Sequence, residues 1–121
     1  DRNESKKRKK YWTSRGMPMQ EINELKDSFV DNLLPLKIYL FGSMAEGKGN
    51  EDSDFDFYIV VDDSQKDMLA LTAKAYKVIR FKQKRAVDII VNTKKEFDIR
   101  KDKSASVERE VEEKGVLLYG A

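Results

Sequence analysis

Asp54 and Asp56 stand two residues apart in the run Asp54-Phe55-Asp56-Phe57, and ten residues separate this run from the small-residue pair Gly42-Ser43 upstream. In an extended strand, residues two apart point to the same face, so the two carboxylates are expected to project side by side. The opposite face would then hold Phe55, Phe57, Ile59 and Val61, an apolar set suited to a core. Adjacent acids repel unless a cation lies between them, and hard oxygen donors of this kind suit Mg²⁺. Gly42 permits close approach of a ligand to the backbone, and Ser43 offers a hydroxyl and an amide to phosphate oxygens. Two water-satisfied acids on an edge strand and a plain tight turn are the bland alternatives. Asp is disfavoured in strands, so a flanked pair of them calls for a reason. A phosphate-binding turn beside a metal-binding acid pair is the equipment of phosphoryl or nucleotidyl transfer.

The elements that must position these residues are legible in outline. A helix is expected after Pro18, because Ile22, Leu25, Phe29 and Leu33 recur at three- and four-residue steps; Pro35 ends it. Lys37 to Phe41 read as a first strand leading into Gly42-Ser43, with a short helical turn around Met44 to Gly47. Asp54 to Val61 read as the second strand. Asp62-Asp63-Ser64 is a helix-start signal ahead of Met68, Leu71, Ala75 and Ile79, the expected buried side of the next helix. Val87 to Val91 read as a third strand, and Thr93-Lys94-Lys95-Glu96 has capping-box spacing for a further helix. A last helix containing Val107 and Val111 should stop at Gly115, before a short strand from Val116 to Tyr119. Helices flanking a small mixed sheet make this an α/β domain with a site at one end of the strands.

The motifs Ile38-Tyr39-Leu40-Phe41-Gly42-Ser43-Met44-Ala45-Glu46-Gly47 and Asp52-Ser53-Asp54-Phe55-Asp56-Phe57 together resemble the signature of the DNA polymerase beta nucleotidyltransferase superfamily. The spacing and small size resemble its minimal nucleotidyltransferase branch. The resemblance implies a polymerase-beta-like fold and a third acid on a later strand. Asp88, in Arg85-Ala86-Val87-Asp88-Ile89-Ile90-Val91, matches that position; taken alone it would be an ordinary strand-start acid. By family position, Asp54 and Asp56 would bind two Mg²⁺ ions and hold the triphosphate of ATP or another NTP. Asp88 would bind the metal at the acceptor hydroxyl and help remove its proton. Ser53 also fits the pattern, although a turn-capping serine looks the same. Many relatives have arginine at the positions of Met44 and Glu46; Lys48 is the nearest substitute, or else a solvated loop lysine.

The minimal branch is commonly paired with a small helical partner of the HEPN class in toxin–antitoxin systems, and some members adenylylate a tyrosine of the toxin. The resemblance therefore implies an Mg²⁺-dependent enzyme placing AMP on a hydroxyl of a partner toxin. Two alternatives stand beside it: an antitoxin of the same fold acting by binding, with weak or no catalysis, and an antibiotic-modifying enzyme, for which an acceptor-binding region is lacking.

Composition bounds these readings. With 121 residues the chain is one domain, and it has no cysteine and no histidine. That excludes disulfides, thiolate sites and imidazole-bound zinc, leaves carboxylates as metal ligands, and makes a reducing cytoplasm the simplest setting. No apolar run has the length of a membrane span. The net charge is +2, but residues 1–16 hold a net +5, which leaves −3 on the rest. Residues 1–17 read as a basic, flexible arm and 18–121 as the nucleotidyltransferase domain. The run Lys6-Lys7-Arg8-Lys9-Lys10 with Tyr11 and Trp12 could bind nucleic acid, but a solvated tail is the favoured reading. Lys74, Lys77, Arg80, Lys82, Lys84 and Arg85 form a second basic concentration, expected mostly on the solvent face of a helix and its exit loop.

Overall fold

A computed structural model describes residues 17–120; the basic run of residues 1–16 lies outside the described residues. The elements follow in the order α1 (Met19–Leu33), β1 (Lys37–Phe41), α2 (Gly42–Ala45), β2 (Phe55–Val61), α3 (Met68–Ile79), β3 (Val87–Thr93), α4 (Lys94–Arg100), α5 (Val107–Lys114) and β4 (Val116–Tyr119). The four strands form one mixed sheet in the order β3-β2-β1-β4. β1 runs antiparallel to both β2 and β4, and β2 runs parallel to β3. Among the described residues, no helix is long and apolar enough to cross a membrane.

One face of the sheet is the apolar face expected from alternation. Phe55, Phe57, Ile59 and Val61 are buried there with Ile38, Leu40, Val87, Ile89 and Val91. The stripe Ile22, Leu25, Phe29 and Leu33 of α1 packs onto this face, with Ala75 and Ile79 of α3. Phe29 meets Phe57 edge to face at 5.2 Å between ring centroids. Helix α1 stops where Leu34 turns left-handed (φ 49°) and donates its amide to Val30 O, and Pro35 then prevents continuation. Met17, at the end of the expected arm, is buried in the same core.

The second face differs from expectation. It bears the acids at one end, but farther along Tyr39, Tyr58 and Val60 are buried under Phe97 of α4 and Val111 of α5. Tyr58 is fully buried and donates its hydroxyl to Glu108 Oε2 at 2.6 Å, fixing α5 to the centre of the sheet. Burial, then the bond and charge of Glu108, push the Tyr58 hydroxyl well above its ordinary range. Tyr58→Phe should cost about 1–3 kcal/mol in urea unfolding, because Glu108 loses a buried donor. Glu108→Gln, which keeps an acceptor, should cost less than Glu108→Ala.

Element starts moved where local side-chain bonds compete. Asp62-Asp63-Ser64 does not open α3; Asp62 instead accepts from the Ser64 amide in a turn, and Asp67 caps the helix through the Ala70 amide. Gly42 and Ser43 are themselves the first residues of α2, earlier than the expected turn at Met44. Thr93 caps α4 by accepting from the Glu96 amide at 3.2 Å, as its spacing predicts.

Candidate functional site

The parallel register of β2 and β3 sets Asp56 directly opposite Asp88. Both lie at the starting ends of their strands, on the face that α4 and α5 cover farther along. Asp56 is also opposite Phe41, the last residue of β1, so the chain leaves β1 into α2 beside that carboxylate. Gly42 there has φ +79°, and a Cβ on it would collide with Asp56 Oδ2. Glycine is required at this junction on two counts, backbone conformation and space.

Asp56 is half-buried, and its carboxyl is pushed up to about 6, first by burial and then by the charges of Asp88, Asp54 and Glu110. A hydrogen bond with the Asp88 side chain adds to the same upward push. Asp88 and Asp54 are exposed. Asp54 belongs to the loop just before β2 rather than to the strand, so its closeness to Asp56 is set by that loop. The three sequence-derived acids and Gly42 are thus neighbours at one end of the sheet.

The remaining residues are placed less centrally. Ser43 is exposed on α2. The Ser53 hydroxyl accepts from the Asn50 amide at 2.9 Å, a loop-closing bond. Lys48 extends into solvent with Nζ 3.6 Å from Glu46 Oε1. Met44 is buried in the core, which explains its apolar character: its side chain packs inward, with its sulfur beside Gly49.

Sequence reasoning passed over Glu110. With Glu46, Ser106, Arg109 and Glu113 it lines a cleft of about 360 Å³ between α2 and α5, and its charge reaches Asp56. A half-buried acid on a short helix has no local signal that marks it. Arg85 is the other residue missed: unlike an exit-loop cation, it turns inward onto Glu21.

The donor set has the right chemistry for Mg²⁺: oxygen ligands only, with mutually repelling charges that a cation would relieve. Among the described residues, no group of three or more acids is drawn together into a ready cage. Mg²⁺ is ordinarily held by one or two carboxylates plus substrate phosphates and water, so Asp56 with Asp54 or Asp88 fits it.

A mixed sheet with an acid patch beside a glycine turn defines the nucleotidyltransferase class, and comparison with known proteins bears this out. The nucleotidyltransferase domain family model matches residues 22–118, and the chain belongs to that family. The expected fold and enzyme class both agree with that membership. Solved structures of the same fold include a candidate nucleotidyltransferase from Sulfolobus solfataricus, 20% identical, with a TM-score of 0.57 over 84% of this chain and 79% of that one. They also include a toxin–antitoxin structure with AMP-PNP, 22% identical, with a TM-score of 0.53 over 86% of this chain and 74% of that one. The toxin–antitoxin MntA-HepT is similar as well, at 20% identity and a TM-score of 0.51 over 85% of this chain and 73% of that one. No curated protein matches the chain.

Proposed function

We propose that this chain transfers a nucleoside monophosphate, AMP from ATP, to a hydroxyl of a partner toxin, and so acts as an antitoxin. The observation that supports this most is the register pairing of Asp56 with Asp88, with Asp54 alongside, next to the Gly42 turn. The partner is taken from the MntA-HepT toxin–antitoxin structures of the same fold, and a HEPN-type helical protein is the form expected.

In this reading Asp54 and Asp56 hold Mg²⁺ with the triphosphate. The Ser43 hydroxyl and the amides at the start of α2 face the phosphates. Asp88 orients the acceptor hydroxyl and takes its proton as the oxygen bonds to the α-phosphorus and pyrophosphate leaves. Bound Mg²⁺ would offset the charge on the attacking and leaving oxygens of that displacement.

A second reading, inhibition by binding with little catalysis, is favoured by the cleft beside the acids, where Glu46, Glu110 and Glu113 outnumber Arg109 and Lys114 and a triphosphate would meet a net negative lining. Labelled ATP, Mg²⁺ and the purified protein, incubated with cell lysate, separate the readings. Label on a protein supports toxin modification, and label on a small molecule supports an antibiotic-type acceptor. No transfer, with toxin still neutralised, supports binding alone. Asp88→Asn should stop transfer by about a hundredfold or more while keeping Mg²⁺-dependent ATP binding in calorimetry within about threefold, since its role is at the acceptor.

A further inference from the structure

Of the three acids, only Asp54 has no strand to hold it. Its place depends on the loop of residues 50–53. The Arg85 guanidinium holds that loop. Its Nε and one terminal nitrogen donate to the two carboxylate oxygens of Glu21 on α1, each at 3.0 Å. Its other terminal nitrogen donates to Ser53 O at 3.2 Å and reaches Asn50 O at 3.5 Å. The guanidinium carbon lies 4.5 Å from the centre of the Phe55 ring, and the Arg85 and Glu21 side chains are 15% and 13% exposed. Ser53 C=O and Asp54 N–H belong to one planar peptide unit, so a bond to that oxygen fixes the plane from which Asp54 projects.

We propose that Arg85 is a positioning residue, clamping the 50–53 loop between α1 and Phe55 so that Asp54 is set beside Asp56. The proposal rests on the metal-binding reading of Asp54 given above. The rigid fork is essential to it: two arms engage Glu21 while a third holds Ser53, which a lysine ammonium on a flexible stem cannot reproduce. A half-buried ion pair of purely structural use would affect stability alone. A clamp on Asp54 affects the affinity for metal as well, and supporting contacts of this kind typically change it by about tenfold or more.

The test compares Arg85→Lys and Glu21→Gln with the wild type, in the intact protein. Hydrogen exchange of the 50–54 segment reads the clamp itself, and calorimetry with a non-hydrolysable ATP analogue across a Mg²⁺ series reads its consequence. Arg85→Lys should speed exchange in 50–54 while the β2 core amides stay protected. It should also raise the Mg²⁺ concentration for half-maximal analogue binding by about tenfold, with binding recovered at high Mg²⁺. Glu21→Gln, which leaves the Ser53 bond in place, should lower the melting temperature comparably but shift the Mg²⁺ requirement less. Unchanged exchange and an unchanged Mg²⁺ requirement in Arg85→Lys would overturn the proposal, as would equal Mg²⁺ shifts in the two variants. Wild-type protein without Mg²⁺-dependent binding would instead remove the functional reading, and exchange alone would then decide the clamp.

Discussion

Asp56→Asn is expected to reduce transfer of label from ATP by about a thousandfold or more, equivalent to about 4 kcal/mol at the transition state, and to make the resting protein more stable. The two effects share one cause. Asp56 is the most crowded acid of the patch, half-buried and facing Asp88, Asp54 and Glu110, and its carboxyl is raised from 3.8 to about 6. In the unfolded chain it ionises near pH 4 at no special cost. In the folded protein it must ionise against burial and three like charges. Asp56 therefore lowers stability progressively as pH rises from about 4 through about 6, and the full cost is present above that. Asn is neutral throughout. The variant should gain about 1–2 kcal/mol at pH 7 to 8, allowing for solvent screening, and nothing at pH 4 or below. Thermal melts at the two pH values, run beside the transfer assay, check both halves. Asp54→Asn should lose transfer as well but gain little stability, because Asp54 is exposed.

Gly42→Ala should have the second-largest effect, on fold and ligand together. A side chain at φ +79° costs about 1–2 kcal/mol on its own. The added methyl would also occupy the position of Asp56 Oδ2, so either the carboxylate or the β1–α2 junction must move, for a total of about 2–4 kcal/mol. Analogue binding with Mg²⁺ should fall by more than tenfold, since the displaced group is a proposed ligand. Combining Gly42→Ala with Asp56→Ala provides the control. The clash disappears with the carboxylate, so the double variant should be more stable than the sum of the two single changes predicts, with the backbone cost of Gly42→Ala remaining. Simple additivity in urea unfolding would mean that the two positions do not share this space.

The parts of the site legible in the sequence were those encoded by strand periodicity. Alternation along Asp56-Phe57-Tyr58-Ile59 and along Val87-Asp88-Ile89 gives each acid a face, and the apolar neighbours say which face is core. Placing the two acids opposite one another needs only that β2 and β3 pair, and the register does the rest. Alternation served less well for Asp54. The strand begins one residue later, at Phe55, so its orientation comes from a loop held by a residue more than thirty positions away. Arg85 looked like any other cation of a basic stretch because the acid that draws it inward, Glu21, belongs to a different helix. Tyr58 and Glu108 are fifty residues apart in the same way, and neither type is expected in a core. The start of α3 was misread for a local reason, since Asp62 and Asp67 are both capable caps and only the buried stripe from Met68 onward chooses between them.

The parallel pairing of β2 and β3 also fixes when in the life of the chain its acid patch can exist. A hairpin cannot join parallel strands; the chain must cross over through α3 before Asp88 reaches Asp56. On a ribosome, Gly42, Asp54 and Asp56 are all synthesised before α3, while their third companion waits for the crossover and for β3 to be extruded and docked. A nascent chain ending before Val87 thus has its proposed triphosphate ligands and lacks its proton acceptor. Transfer is a property of the completed domain, and for a protein read as an antitoxin, protection by modification starts only once synthesis of the chain has passed that strand.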